Sequence, residues 1–399
     1  MVAGRRRIPD GERRARLGRR HHLAAPGPDV VTVARDLVGL HSSDPIAVPL
    51  AAAARVAGLV PADVERALYD DRTLVRLHGM RRTLWVQARD VAAEVHAASG
   101  RALVGPERRR LEGLVAEQEL ADDPGAWLDA VGARTLAALE GRGEASATEL
   151  RADVPDLART LAFGEGKAWA GTVSIGTRLL FLLAIEGHIV RTRPLGTWVS
   201  SQYRYAPAAA WLGAPFPSLD PAEARAALAR RWLGAFAPAS LADLRWWMGW
   251  TVPQSRAALA ACGAVEVDLD PAPATGFVLP DDVDPVDPPP PWVALLPAMD
   301  PTAMGWKERD WYLGPLGPEL FDRNGNVGPT VWSDGRIVGG WGQGAGGEVV
   351  VGVRADVGSE ATAAIEAEAA RRGEWFGGTR TIPRFRTPLE KALATGTAP

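Results

Sequence analysis

Three segments of the chain share one order of features: a helical periodicity, a short strand, a turn that contains glycine or proline, and a second strand. The three strand pairs cover residues 74–87, 188–203 and 264–279. A helix-rich unit that is closed by a hairpin is typical of a winged helix. The repeated order therefore predicts an α+β fold with three tandem winged helix-turn-helix units.

The third unit carries the most specific local pattern. Ser240 is placed to cap a helix over residues 241–250, and a break at Thr251 separates it from a second helix, which predicts a helix-turn-helix. Trp246 and Trp250 are about one helical turn apart. We therefore expect both indoles in the core rather than on a platform that stacks bases.

Composition and turn residues divide the rest of the chain. The stretch PDDVDPVDPPPP is too rich in proline and aspartate to hold regular structure. Beyond it, alternating segments with Asp-Gly and Gly-Gly turns indicate a small antiparallel sheet or barrel. We predict a basic N-terminal arm at 1–25, winged helices at 26–120, 121–215 and 216–280, a linker at 281–291, and a β-rich, barrel-like module with a closing helix at 292–399.

Charge is distributed unevenly along the chain. The formal net charge of −3 argues against a uniformly basic nucleic-acid-binding protein, so any DNA-binding face must be local. Residues 1–25 nevertheless hold eight arginines against Asp10 and Glu12. Two interpretations stay open for this arm: a solvated, partly disordered tail, or a segment that binds phosphates.

Several classes of protein are excluded by what the sequence lacks. It has no apolar run of the roughly 18 residues that span a bilayer and no secretory signal, so we expect a cytoplasmic protein that does not contact a membrane. The single cysteine, Cys262, rules out an internal disulfide and a cysteine-based zinc site. No phosphate-binding loop or nucleophile elbow is present. We expect no metal and no small-molecule cofactor.

Five blocks of the sequence have a recognisable pattern. They are LVGLHSSDP, LVRLHGMRRTLWV, TWVSSQYRY, LLPAMDPTAMGWKERDW and LFDRNGNVGPTVWSDGRIVGGW. In the same order they resemble blocks of the bacterial winged-helix DNA-binding-domain proteins, a family that includes the AlkZ-like glycosylases that unhook DNA interstrand crosslinks. The resemblance covers roughly residues 12–395 and implies three tandem winged helices that form a concave basic cradle for duplex DNA, followed by a β-rich module.

The resemblance implies a DNA glycosylase that hydrolyses the N-glycosidic bond of alkylated or crosslinked purines in damaged duplex DNA. Characterised members carry a Gln-x-Gln or Gln-x-Asp motif, which falls here on residues 41–43, where neither glutamine is present. His41 could act as the general base, Ser43 could hydrogen-bond the water, and Asp44 could orient the imidazole.

Other interpretations of these residues stay open. His41 could instead cap or pack against a helix while Asp44 and Pro45 form a turn. The protein would then be a non-catalytic DNA-binding protein of the same fold, a regulator or a factor that shields lesions. A winged-helix scaffold for protein partners is a third alternative, because the net charge is slightly acidic.

Candidate DNA contacts lie in three places. Arg81 and Arg82 fall at the tip of the first predicted wing, where guanidiniums could reach phosphates or a narrow minor groove. The residues of the second predicted wing could supply both phosphate and groove contacts. The C-terminal block GWKERDW adds cations that could equally belong to an ion-pair network. The residues predicted there are Arg191, Arg193, Gln202, Tyr203, Arg204, Lys307 and Arg309.

Overall fold

The structure is a computed structural model that describes residues 5–164, 166–167, 170–271 and 274–397. Its mixture of helices and strands confirms the predicted α+β class. The helices are α1 (Asp10–Arg20), α2 (Val30–Asp36), α3 (Ala47–Ala53), α4 (Pro61–Glu65), α5 (Arg89–Val95), α6 (Arg101–Glu117), α7 (Pro124–Arg142), α8 (Ala147–Asp153), α9 (Ile175–Glu186), α10 (Ala208–Leu212), α11 (Pro221–Phe236), α12 (Leu241–Met248), α13 (Val252–Ala261), α14 (Asp310–Leu313), α15 (Gly317–Leu320), α16 (Gly358–Phe376) and α17 (Pro388–Thr395).

The strands are short and fall into four sheets within the described ranges. They are β1 (Arg7–Ile8), β2 (Leu40–His41), β3 (Leu74–His78), β4 (Leu84–Ala88), β5 (Ala145–Ser146), β6 (Thr160–Phe163), β7 (Gly171–Ser174), β8 (Ile189–Pro194), β9 (Tyr203–Pro207), β10 (Val265–Leu269), β11 (Ala274–Val278), β12 (Val293–Leu296), β13 (Thr330–Ser333), β14 (Arg336–Gln343) and β15 (Val349–Val353). Among the described helices, none has the length and apolar character to cross a bilayer.

All three predicted hairpins are present. The antiparallel pairs are β3 with β4, β8 with β9, and β10 with β11. The helix before the second hairpin ends as predicted at Gly187, which adopts the left-handed conformation that glycine tolerates best. The alternation of residues and the position of the turns were therefore sufficient to locate these hairpins.

The first two hairpins belong to one sheet, which the sequence pattern did not reveal. Its six strands run in the order β2-β4-β3-β8-β9-β5. Strands β3 and β8 join where Arg76 lies opposite Arg191. Such pairing satisfies backbone groups that two separate hairpins would leave exposed at their edges. The two hairpins consequently place their side chains beside each other.

The helix-turn-helix of the third unit is confirmed. Ser240 caps α12 by accepting a hydrogen bond from the backbone N–H of Asp243, and Thr251 caps α13 in the same way. Trp250 is 7% exposed, as expected for a core residue. Trp246 differs, because it is only partly buried and packs at the edge of the core.

The N-terminal arm needs correction. Over its described residues it is neither a disordered tail nor a free phosphate-binding segment, because it forms strand β1, which pairs with β10, and helix α1. Arg16 is 1% exposed and donates hydrogen bonds to Glu12 and Asp282. Arg20 also pairs with Asp282. These carboxylates neutralise the arginines inside the protein, so most of the basic charge is structural.

The C-terminal part is an open sheet, not a barrel. Its strands run in the order β12-β13-β14-β15 and do not close within the described residues. Helix α16 lies against β12 and β15, and α17 packs on β14, so the C-terminal part does contain closing helices. Helices that cover the apolar faces remove the need for closure. The segment before this sheet holds only a short 3₁₀ turn, Pro280–Asp282.

Candidate DNA-binding cleft

A cleft of about 500 Å³ opens between the first two hairpins and a segment near the C-terminus. Three of the described lining residues are arginines, and none is a carboxylate. This composition favours an anionic ligand. The lining residues are Ser42, Ser43, Pro45, His78, Arg82, Leu84, Arg191, Ser201, Tyr203, Tyr205, Arg384 and Phe385.

A buried arginine lies beneath the cleft. Arg76, on β3, is 5% exposed. Its Nε donates to Ser42 Oγ at 2.8 Å and one Nη donates to the Tyr69 hydroxyl at 2.6 Å. The guanidinium carbon lies 4.4 Å from the ring centroid of Tyr203. Arg76 thereby fixes Ser42 and Tyr203 at the floor and adds a positive charge below them.

Two polar groups of the lining have no partner in the described part of the chain. They are the hydroxyl of Tyr203, a residue 7% exposed, and the buried Nε of Arg191. An unsatisfied buried donor costs roughly 1–3 kcal/mol. An oxygen of a bound anion could accept hydrogen bonds from both groups, which is a second reason to regard the cleft as a binding site.

The segment around Arg384 attaches the C-terminal part to the motif position. The backbone N–H of Arg384 donates to Asp44 Oδ2 at 2.8 Å, and its guanidinium donates to the Ser43 carbonyl at 3.2 Å. Asp44 Oδ1 accepts a hydrogen bond from the Ile46 N–H at 3.3 Å. Burial raises the pKa of Asp44, and these backbone N–H groups oppose the rise. Asp44 therefore holds a turn and brings Arg384 to the cleft.

Among the described residues His41 and Asp44 share no hydrogen bond, so the contact by which Asp44 was predicted to orient the imidazole is not formed. His41 is 3% exposed at the end of β2, and its ring meets that of Trp85 edge-on at 5.0 Å. Neither ring nitrogen has a hydrogen-bond partner among the described residues. Burial, helped by the charge of Arg81, lowers the pKa of His41 to about 3. The imidazole is neutral at pH 7 and makes no hydrogen bond to Asp44 within the described residues.

Ser43 is the predicted catalytic residue that does line the cleft. Its Oγ accepts only a long hydrogen bond, 3.5 Å from the backbone nitrogen of Leu84. The hydroxyl is therefore weakly held by the protein. Its role in positioning water stays a prediction.

The two arginines at the tip of the first hairpin have different neighbours. Arg81 and Arg82 both have positive φ angles, 53° and 62°, a region that arginine rarely adopts. Arg82 lines the cleft and pairs with Glu107 at 2.8 Å. The guanidinium of Arg81 lies 4.1 Å from the Trp246 ring centroid. The prediction of an exposed pair is wrong for Arg81, whose pKa falls to about 10 through burial and the nearby charge of Arg309.

The other residues predicted to contact DNA differ in whether their side chains already have partners in the protein. Arg193 pairs with Asp70 at 2.9 Å, and Arg204 donates to the Glu144 carbonyl at 2.8 Å. Gln202 and the side chain of Lys307 are exposed. Contacts of these four residues with DNA remain predictions.

Among the residues of the site that sequence reasoning missed are the basic ones, Arg76, His78 and Arg384. His78 packs edge-on against Phe181, and burial, with Arg191 and Arg82 nearby, lowers its pKa well below the usual value. Alternation placed Arg76 and His78 on the first hairpin, but only the joining of β3 to β8 shows that they face the second. The sequence shows basic residues near the C-terminus, but no local pattern indicates that Arg384 lines the cleft.

The fold and the cleft together define an α+β protein with an arginine- and tyrosine-lined site for an anionic ligand. The chain belongs to the AlkZ-like DNA glycosylase family, because the family model described as DNA glycosylase AlkZ-like matches residues 34–375. This confirms the resemblance noted in the sequence and indicates DNA as the substrate.

A solved structure gives independent support for the fold. Streptomyces sahachiroi DNA glycosylase AlkZ matches with a TM-score of 0.71 over 94% of this chain and 98% of that chain, at 21% sequence identity. At this identity the likeness shows a shared fold. A comparison with curated protein sequences found no match.

Proposed function

We propose that this protein binds damaged duplex DNA in the arginine-lined cleft and hydrolyses the N-glycosidic bond of alkylated or crosslinked purines. The observation that carries the proposal is a cleft of about 500 Å³ that includes Ser43 and three arginines but, among its described lining, no carboxylate. We further propose that the three hairpin units, with the boundaries predicted above, are winged helices that cradle the duplex.

The proposed reaction needs only modest help from the protein. Water attacks the C1′ carbon of the sugar, the bond from C1′ to the purine nitrogen breaks, and the water's second proton passes to solvent. An alkylated purine is cationic while attached and leaves as a neutral base, so its departure needs no separate acid. Ser43 would accept a hydrogen bond from the attacking water, and the cleft arginines would hold the flanking phosphates.

A second candidate is a protein that binds DNA without excising a base. The burial of His41 and the lack of a hydrogen bond between it and Asp44 favour this alternative, because the predicted general base is neither exposed nor oriented by a carboxylate in the described structure. Both candidates require the same cationic surface. They differ only in whether a base is released.

One experiment separates them. Duplexes that carry N7-alkylguanine, N3-alkyladenine or an interstrand crosslink are incubated with the protein, and released base, abasic sites and bound duplex are measured. Base release establishes the glycosylase. Tight, salt-sensitive binding without release of any base establishes the binding protein. Absence of binding to every duplex at low salt overturns both.

A further inference from the structure

Outside the cleft, two arginines lie over the same indole ring. The guanidinium carbons of Arg81 and Arg309 are 4.1 Å and 5.1 Å from the Trp246 ring centroid. Arg81 comes from the first wing tip, Trp246 from α12 and Arg309 from the residue before α14. Three distant parts of the sequence thus meet in one cluster.

The cluster has no carboxylate to balance its charge within the described ranges. The Nε of Arg81 is buried without a hydrogen-bond partner. Among the described residues Arg309 makes only long polar contacts, 3.5 Å to the Lys307 carbonyl and 4.0 Å to the sulfur of Met304, and its guanidinium carbon also lies 4.9 Å from the Phe321 ring centroid. The lowered pKa of Arg81 reflects burial and then the charge of Arg309. Two partly desolvated like charges are unfavourable together unless an anion joins them.

Groups of the protein that surround the cluster cannot supply that anion. The oxygens of Asp243 already accept hydrogen bonds from the backbone of Lys307 and from Ser240. His41, close enough to Arg81 for its pKa to be affected, is neutral and has both ring nitrogens unpartnered at 3% exposure. The described structure therefore shows no ion pair on Arg81 or Arg309, and the cluster is open to an anionic ligand.

We propose that Arg81 and Arg309 form a clamp that holds one phosphodiester of DNA beside Trp246. Two guanidiniums present several N–H donors with the geometry that phosphate oxygens accept, and stacking on the indole restricts their motion. The clamp rests on the proposed binding of duplex DNA and adds to it a phosphate contact outside the cleft. The wing tip would then serve two phosphates, with Arg82 at the cleft and Arg81 at the clamp.

The test compares R309Q and the double variant R81Q/R309Q with R72Q. Arg72 is a matched control, because its guanidinium lies 4.0 Å from the Trp211 ring centroid in another part of the surface. Affinity for labelled, undamaged duplexes of two sequences is measured across a salt titration. Loss of the clamp should weaken binding equally for both sequences and reduce the salt slope by about 1, whereas R72Q should keep the wild-type slope. In an ethylation-interference assay, one phosphate whose ethylation blocks binding of the wild type should no longer affect binding of the double variant.

The outcomes are distinguishable. If wild type binds duplex and both clamp variants keep its salt slope, the clamp is wrong while the proposed function stands. If wild type binds no duplex, both fail. Thermal unfolding checks the fold, and R309Q decides the question should the double variant be unstable. A site for inorganic phosphate that the double variant loses, with an unchanged slope on DNA, would overturn the assignment to a phosphodiester.

Discussion

Helix α1 and the cleft use arginine in opposite ways. In α1, Arg16 and Arg20 both form ion pairs with Asp282. Glu12 forms ion pairs with Arg16 and with Arg6. The cleft has fewer arginines, yet only Arg82 has a carboxylate partner there. Density of basic residues in a sequence therefore does not locate a DNA-binding face. What matters is charge that the fold leaves unbalanced.

The largest expected effect is on stability and concerns the paired arginines of α1. Arg16→Ala should lower the free energy of unfolding by about 3 kcal/mol, because it leaves Glu12 and Asp282 without their buried partner. The salt slope of DNA binding should not change. Thermal or denaturant unfolding and a salt titration measure both quantities. A reduced slope in a folded variant would break the comparison by showing that α1 contacts DNA.

The cleft arginines that lack a carboxylate partner should show the reverse, a loss of DNA affinity with little loss of stability. Replacing Arg191 and Arg384 together by alanine should weaken duplex binding by roughly tenfold to a hundredfold and reduce the salt slope by about 2. Little stability should be lost, since neither guanidinium has a carboxylate partner in the described structure. Wild-type affinity in this double variant would place the DNA elsewhere.

The burial of His41 makes stability depend on pH. Its folded-state pKa of about 3 lies below the ordinary value of 6.5, so the unfolded chain binds a proton that the folded protein does not. Stability should fall as the pH drops below about 6.5, with His41 contributing about 1.4 kcal/mol per pH unit until its folded pKa is reached.

His41→Gln, which restores the residue type of the family motif, should flatten this part of the profile relative to wild type. Equilibrium unfolding at several pH values measures it. Identical profiles would show that the pKa of His41 is the same in the folded and unfolded protein, and the catalytic interpretation of His41 would gain support. Any excision activity of wild type should not fall near pH 6.5 through protonation of this residue.

A smaller effect is expected at Ser43. If its hydroxyl positions the attacking water, Ser43→Ala should slow base release by about tenfold, the equivalent of one hydrogen bond, and leave duplex affinity unchanged. Ser201→Ala, at another serine of the lining, is the control. Equal rates for wild type and Ser43→Ala would remove Ser43 from the reaction.

The smallest effect should come from Arg193, which sharpens the comparison within one strand. Because Arg193 is paired with Asp70 and partly exposed, Arg193→Ala should change stability by less than about 1 kcal/mol and the salt slope by less than Arg191→Ala does. Equal slopes for the two variants would mean that a carboxylate partner does not prevent a DNA contact, and the original prediction for Arg193 would be correct.

The extent to which the site could be predicted follows from the distances along the chain. Ser43 and Arg191 were assigned from a motif position and a hairpin, and both line the cleft. Asp44 was placed correctly in a turn as one of two alternatives, but its partner Arg384 is 340 residues away. No local pattern could identify that contact, or show that Asp44 makes no hydrogen bond to His41 within the described residues.

The sequence by itself determined the α+β class, the three hairpins, the capped helix-turn-helix and the family. These features depend on alternation, turns and caps, which are interactions between residues only a few positions apart. The tertiary structure decided the joining of β3 to β8, the neutralisation of Arg16 by Asp282 across 266 residues, and the meeting of Arg81 with Arg309 at Trp246. Local spacing sets pairs such as Arg16 with Glu12, but long-range packing decides which other charges find partners and which remain without one.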